Sequence, residues 1–169
     1  YYSLRFGTFS EVTLLELAKK NDIDSLVLTD INTTSACMNF VQQSKKNGIA
    51  PIIGVDFRNG AIQQFVCIAK NNTGFFEINR YLSSFLETKS NIPDRCEVLH
   101  NTFIIYPFEK VLQLQIKDFN ENEFIGVSVE EVKKLKFSYL RKYCNKIVIQ
   151  QQVTVRNQRD FNAHRLLRA

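Results

Sequence analysis

Residues 25–57 read SLVLTDINTTSACMNFVQQSKKNGIAPIIGVDF, and the order of apolar runs and turn residues in this stretch decides the fold class. Residues 25–29 are an apolar run too short for a helix, and they end on the turn-forming Asp30-Ile31-Asn32, which predicts a buried strand. Over residues 34–46, Cys37, Phe40 and Val41 recur at helical spacing, and Asn47-Gly48 supplies the stop. Residues 49–55 predict a second buried strand. A strand, helix and strand of this length form a βαβ unit, with parallel strands and a right-handed crossover. Functional groups gather at the carboxyl ends of strands in such units. Those ends carry Asp30 and Asp56.

Upstream, Thr8-Phe9-Ser10-Glu11 is a capping-box start for a helix that ends near Asn21, with Val12, Leu15, Leu17 and Ala18 as its apolar face. Downstream, Asn59-Gly60 between apolar runs signals a hairpin into a strand over 64–69. Asn71 and its neighbours cap a helix over 75–88, whose Ile78, Tyr81, Leu82 and Phe85 make a core stripe. Residues 90–100, polar and interrupted by Pro93, read as a loop. Strands are expected over 102–106, 124–127 and 146–149, and residues 109–118 fit either a strand or a short helix. Ser128 and Glu131 form a capping box for a helix over 128–136, continued by more helix over 137–143. Asn157 caps a last helix with Phe161, Leu166 and Leu167 on its apolar face. This βα rhythm suits an open doubly wound sheet or a barrel equally well.

At 169 residues the chain is one domain's worth and a single core is expected. With 44% hydrophobic and 23% charged residues, the composition excludes a disordered chain. It has no run of eighteen apolar residues, and its opening YYSLRFG lacks a signal-peptide layout, so a soluble, cytoplasmic protein without a membrane partner is expected. Cys37, Cys67, Cys96 and Cys144 include no Cys-x-x-Cys pair, which predicts free thiols, with Cys37 and Cys67 acting as small buried hydrophobes. Residues 132–169 hold ten Lys or Arg against Asp160 alone, whereas the remainder holds twelve basic and sixteen acidic groups. That basic third fits nucleic acid or an acidic partner. Lys133, Lys134, Lys136, Arg141 and Lys142 equally fit the wet face of one amphipathic helical stretch. The chain opens as if at the end of a strand, without Met, and closes inside a helix, as expected of a domain cut from a longer polypeptide.

The run from Thr29-Asp30 through the helix ending in NGI to PIIGVDF resembles the PHP domain that opens the alpha subunit of bacterial DNA polymerase III. YYSLRFGT resembles that domain's first motif, FVCIAKNNTGFFEINRYLS its strand-then-helix segment, and VTVRNQRDFNAHRLLRA its final motif and helix. The resemblance implies a distorted, shortened (βα)7-type PHP barrel, with residues 1–169 forming one PHP domain from the N-terminal part of a polymerase chain. The parent chain would be a DNA-directed DNA polymerase, a nucleotidyltransferase.

In active members, histidines and acids at the strand ends hold metal ions that activate water against a phosphoester. Carried over one position at a time, the ligand set is degenerate. A His-x-His pair would lie upstream of Tyr1. Phe6 stands for the acid before Gly7, Ile31 for the histidine after Thr29-Asp30, and Gln64 for another histidine. Gln152 and Thr154 replace an Asp-x-His, while Asp56 stands where Glu is usual. Asp56 and Asp30 alone are too few for a metal cluster. The expectation is therefore no catalytic residue, no metal and no cofactor in this domain, with Ile31 plugging the former pocket as core. His100 and His164 read as loop and helix residues. By resemblance the domain supports the polymerase and docks its proofreading exonuclease subunit during DNA replication. The alternative is a metal-dependent phosphoesterase or 3'-5' proofreading exonuclease. DNA contact through the basic C-terminal third is a further option, by phosphate pairing.

Overall fold

Ser10 opens the first helix of the chain, which a computed structural model describes over residues 10–168. The Ser10 hydroxyl accepts the Thr13 amide at 3.4 Å, and α1 runs Glu11–Lys20. The expectations at Tyr1 to Phe9 lie outside the described residues. Contacts divide the chain into two compact units, Tyr1–Val55 with Gln152–Ala169, and Asp56–Gln151.

In the first unit, β1 (Ser25–Ile31) neighbours β2 (Ala50–Asn59), whose last residues, from Asp56, belong to the second unit, and α2 (Cys37–Asn47) joins them. Gly48 ends α2 at φ +71°, a left-handed conformation that glycine adopts without a Cβ penalty. Leu15 and Ala18 of α1 pack with Phe40 of α2 and with Ile49, and Leu26, Leu28 and Ile53 lean on that cluster. The last helix of the chain, Gln158–Arg168, is capped as its sequence predicts, with the Asp160 amide donating to Asn157 Oδ1 at 3.0 Å. Its expected apolar face is different: Phe161 and Leu166 are exposed, and the Leu167 side chain lies outside the described residues.

In the second unit the two-residue turn Gly60-Ala61 reverses β2 into β3 (Ile62–Ala69). β3 pairs antiparallel with β4 (Thr102–Pro107), in register Val66 with Ile105, while β4, β5 (Glu123–Val127) and β6 (Ile147–Ile149) are parallel. The regular βα alternation is thus interrupted at β3, because a strand that enters from a hairpin must run against its predecessor. α3 (Asn72–Thr88) begins at Asn71, whose Oδ1 accepts the Gly74 amide at 2.9 Å. An aromatic core follows, with Phe57 and Phe65 centroids 5.1 Å apart, Phe65 and Tyr106 5.9 Å, and Tyr81 and Phe85 4.8 Å.

Residues 108–114 settle as helix α4 (Phe108–Leu114), since burial of Phe108 and Val111 at i, i+3 outweighs the alternation of VLQLQI. The helix expected over 128–136 starts only at Val132 (α5, Val132–Phe137). Glu131 folds back instead, its Oε2 accepting the Ser128 amide and hydroxyl, each at 2.8 Å. Ser138, with ψ 160°, breaks the stretch again and caps a 3-10 segment over Tyr139–Lys146. One amphipathic helix is therefore replaced by two short pieces, along which Lys133, Lys134, Lys136, Arg141 and Lys142 are all exposed. No helix among the described residues is long and apolar enough to cross a membrane.

Candidate functional site

The residues singled out by resemblance fall in both units, and each unit shows what surrounds its own. In the first, Asp30 is buried and Ile31 is the last residue of β1, followed by Asn32 in a left-handed conformation at φ +50°. Ile31 is half-buried, so the expected core plug is corrected: a strand end that turns at once leaves the side chain partly in water. Burial, with the Asp30 charge beside it, pushes the Cys37 thiol up to about 11. A thiol held protonated this way is neither a nucleophile nor a ready ligand at neutral pH. Gln152 is exposed and Thr154 half-buried in the irregular run 151–155. Phe6 lies outside the described residues.

In the second unit, Asp56 and Gln64 are each 3% exposed. Asp56 Oδ2 accepts Arg58 Nε at 3.0 Å and Nη2 at 2.7 Å, a two-pronged guanidinium contact. Gln64 Oε1 accepts the Lys110 ammonium at 2.5 Å, and its Nε2 donates to the Ile62 carbonyl at 3.2 Å. Lys110 also pairs with Asp94 of the 90–100 segment. The fold accounts for this meeting. Continuing the Val66–Ile105 register by two residues sets Gln64 across from Pro107, directly before α4, whose first turn carries Lys110.

The segment over 90–100 has no helix or strand, yet it is tightly bound. Asn59 pairs with Ile92 through Nδ2 to the carbonyl at 2.8 Å and the amide to Oδ1 at 2.9 Å. Arg95 grips buried Glu123 through Nε at 3.1 Å and Nη2 at 2.7 Å, and Glu123 also accepts the Asn120 amide at 2.8 Å. The Cys96 amide donates to the Tyr106 hydroxyl at 3.1 Å. Burial alone raises the Glu123 carboxyl, but the Arg95, Asn120 and Tyr106 donors outweigh it and hold it below the usual carboxylate range. Cys37, Cys67 and Cys96 are buried and Cys144 exposed, all as free thiols. His100 sits in the loop and His164 in the last helix, as expected.

Sequence reasoning missed Arg58, Arg95, Lys110 and Glu123. Arg58, two residues after Asp56 on the same strand face, carried a local signal; the others meet across the fold. Among the described residues no group of three or more His, Cys, Asp or Glu gathers as a metal-ligating set. Two of the oxygens at β2 and β3, Asp56 Oδ2 and Gln64 Oε1, each face a side-chain cation instead.

A family model described as PHP domain matches residues 1–118. The chain belongs to the PHP domain family. That PHP match includes Asp56, Gln64, Asp94 and Lys110 and stops short of Gln152 and Thr154. The chain is also 31% identical over 91 residues to the DNA polymerase III subunit alpha of Ureaplasma parvum, an alignment covering 53% of this chain and 9% of that protein. The chain therefore spans only a small part of the relative's length.

Proposed function

We propose that this chain is the PHP domain of a replicative DNA polymerase III alpha subunit, serving as a metal-free structural and docking module. The two compact units would belong to one domain over 1–169 from the N-terminal part of that chain, built as a shortened, distorted (βα)7-type barrel. The family match, which runs through both units, supports this. The parent polypeptide is a cytoplasmic DNA-directed DNA polymerase in this reading, and the domain itself carries no catalysis. Its metal site is degenerate at Phe6, Ile31, Gln64, Gln152 and Thr154, with Asp56 left over.

The observation that carries the reading is the pairing of Gln64 with Lys110, an amide and an ammonium where hydrolytic chemistry would need a ligand and an ion. Freed from metal chemistry, the domain supports the polymerase body and docks the proofreading exonuclease subunit, with DNA contact available to the basic residues after Val132. The test is size-exclusion chromatography of the full-length chain with that exonuclease, alongside an assay for hydrolysis of a phosphodiester. Co-elution lost on removal of residues 1–169, without EDTA-sensitive hydrolysis, is expected. Hydrolysis abolished by both EDTA and Asp56→Ala would overturn the reading.

A further inference from the structure

We propose that Lys110 is the residue that sets this site against metal ions: its ammonium is the resident cation at Gln64, where a divalent ion would have to be held. The inference rests on the metal-free reading above and names what enforces it. Lys110 is not a loose surface lysine, since its side chain is 11% exposed. It is held between Gln64 Oε1 and the Asp94 carboxylate. The Gln64 amide is fixed in that orientation because its Nε2 donates to the Ile62 carbonyl, which leaves the oxygen for Lys110.

Arg58 does for Asp56 what Lys110 does for Gln64. Two carboxylates, Asp56 and Asp94, thus each meet a side-chain cation, Arg58 and Lys110. A divalent ion at Gln64 Oε1 would stand within a few ångströms of the ammonium in a poorly hydrated place, where like charges repel strongly. Restoring a histidine at position 64 therefore does not restore a metal site while Lys110 stays. Removing Lys110 does two things at once: it deletes the competing cation and releases Asp94 as an oxygen donor.

Zinc chloride is titrated calorimetrically into the full-length chain as wild type, Gln64→His, Lys110→Met and the double variant, with thermal melts of each run with and without zinc. The double variant is expected to bind zinc at least about tenfold more tightly than Gln64→His, the scale on which groups beside a ligand tune affinity. Zinc is expected to raise the melting midpoint of the double variant only. If Lys110→Met unfolds, Lys110→Gln takes its place, keeping a donor to Gln64 without the charge. Zinc bound equally well by Gln64→His and the double variant, or no gain in the double, overturns the role of Lys110 and leaves the metal-free reading standing. Zinc bound by wild type and lost on Asp56→Ala overturns that reading itself.

Discussion

The Tyr106 hydroxyl donates to Glu123 Oε1 at 2.8 Å, with both side chains buried. Because the same carboxylate takes Arg95 and the Asn120 amide, it ties the 90–100 segment to β4 and β5. Glu123→Ala leaves a buried hydroxyl and a guanidinium without their acceptor, at a cost of roughly 3 kcal/mol, the low end for a broken buried pair since Arg95 is partly solvated. Glu123→Gln keeps an acceptor for Tyr106 and costs about 1.5 kcal/mol. Urea unfolding of both variants checks the order.

Two carboxyls link this packing to pH. In Glu77, as in Glu123, burial pushes the carboxyl up and hydrogen bonds outweigh it, here from Asn101 and Thr102, so both stand below the usual carboxylate range in the folded chain. A depressed folded value means the stabilisation is fully present above the unfolded value near about 4.3 and is lost as pH falls through the folded values. The denaturant midpoint is expected to be insensitive to these groups from pH 7 to about 5 and to fall below about 4.5, less steeply in Glu123→Gln. A midpoint that rises on acidification below pH 5 would contradict the assignment.

Gly74 admits no side chain. A Cβ there would lie 1.9 Å from the Asn101 carbonyl oxygen, a backbone atom that has no rotamer to escape by. Gly74→Ala should cost about 3 kcal/mol, as overpacking against backbone does. Gly60, at φ +60° with nothing within 4 Å of a built Cβ, supplies the comparison, and Gly60→Ala should cost about 1 kcal/mol from left-handed strain alone. Equal melting shifts for the two would mean that α3 does not approach Asn101 this closely.

Ile31 is half-buried at the end of β1, so truncation removes fewer contacts than a core isoleucine makes. Ile31→Ala should cost about 1 kcal/mol, short of the 2–5 expected for a fully buried site of about this size. Ile31→His, its imidazole still wet, should stay within about 0.5 kcal/mol of wild type. Thermal melts that place Ile31→Ala beyond about 2 kcal/mol would restore the residue to the core.

Much of the order of elements was legible in local patterns. Residues 25–29, the hairpin signalled by Asn59-Gly60 and the Asn71 cap each carry their cause within a few positions; the strand and the cap stand where the pattern puts them, and the turn falls one residue on, at Gly60-Ala61. What the sequence hid lies at long range. Gln64 and Lys110 are 46 residues apart and Arg95 and Glu123 are 28 apart, so no window of sequence contains either pair. The 90–100 segment looked unorganised because its anchors are side chains of other elements, including Asn59, Tyr106, Lys110 and Glu123. Over 128–143 a helical composition was divided at Ser138, whose hydroxyl donates to the Leu135 carbonyl and accepts the Leu140 amide, and delayed at Ser128, which is bound by the Glu131 carboxylate. The expectation for the candidate site came from single positions such as Gln64, whereas the Lys110 ammonium that meets Gln64 was not legible there.

Elemental analysis of the full-length chain, purified without chelator and compared with its Asp56→Ala variant, tests the metal-free account most directly. The account predicts that zinc, manganese and iron contents are the same in the two proteins and that EDTA leaves the melting midpoint of this domain unchanged. A stoichiometric metal present in the wild-type chain and absent from Asp56→Ala would contradict it.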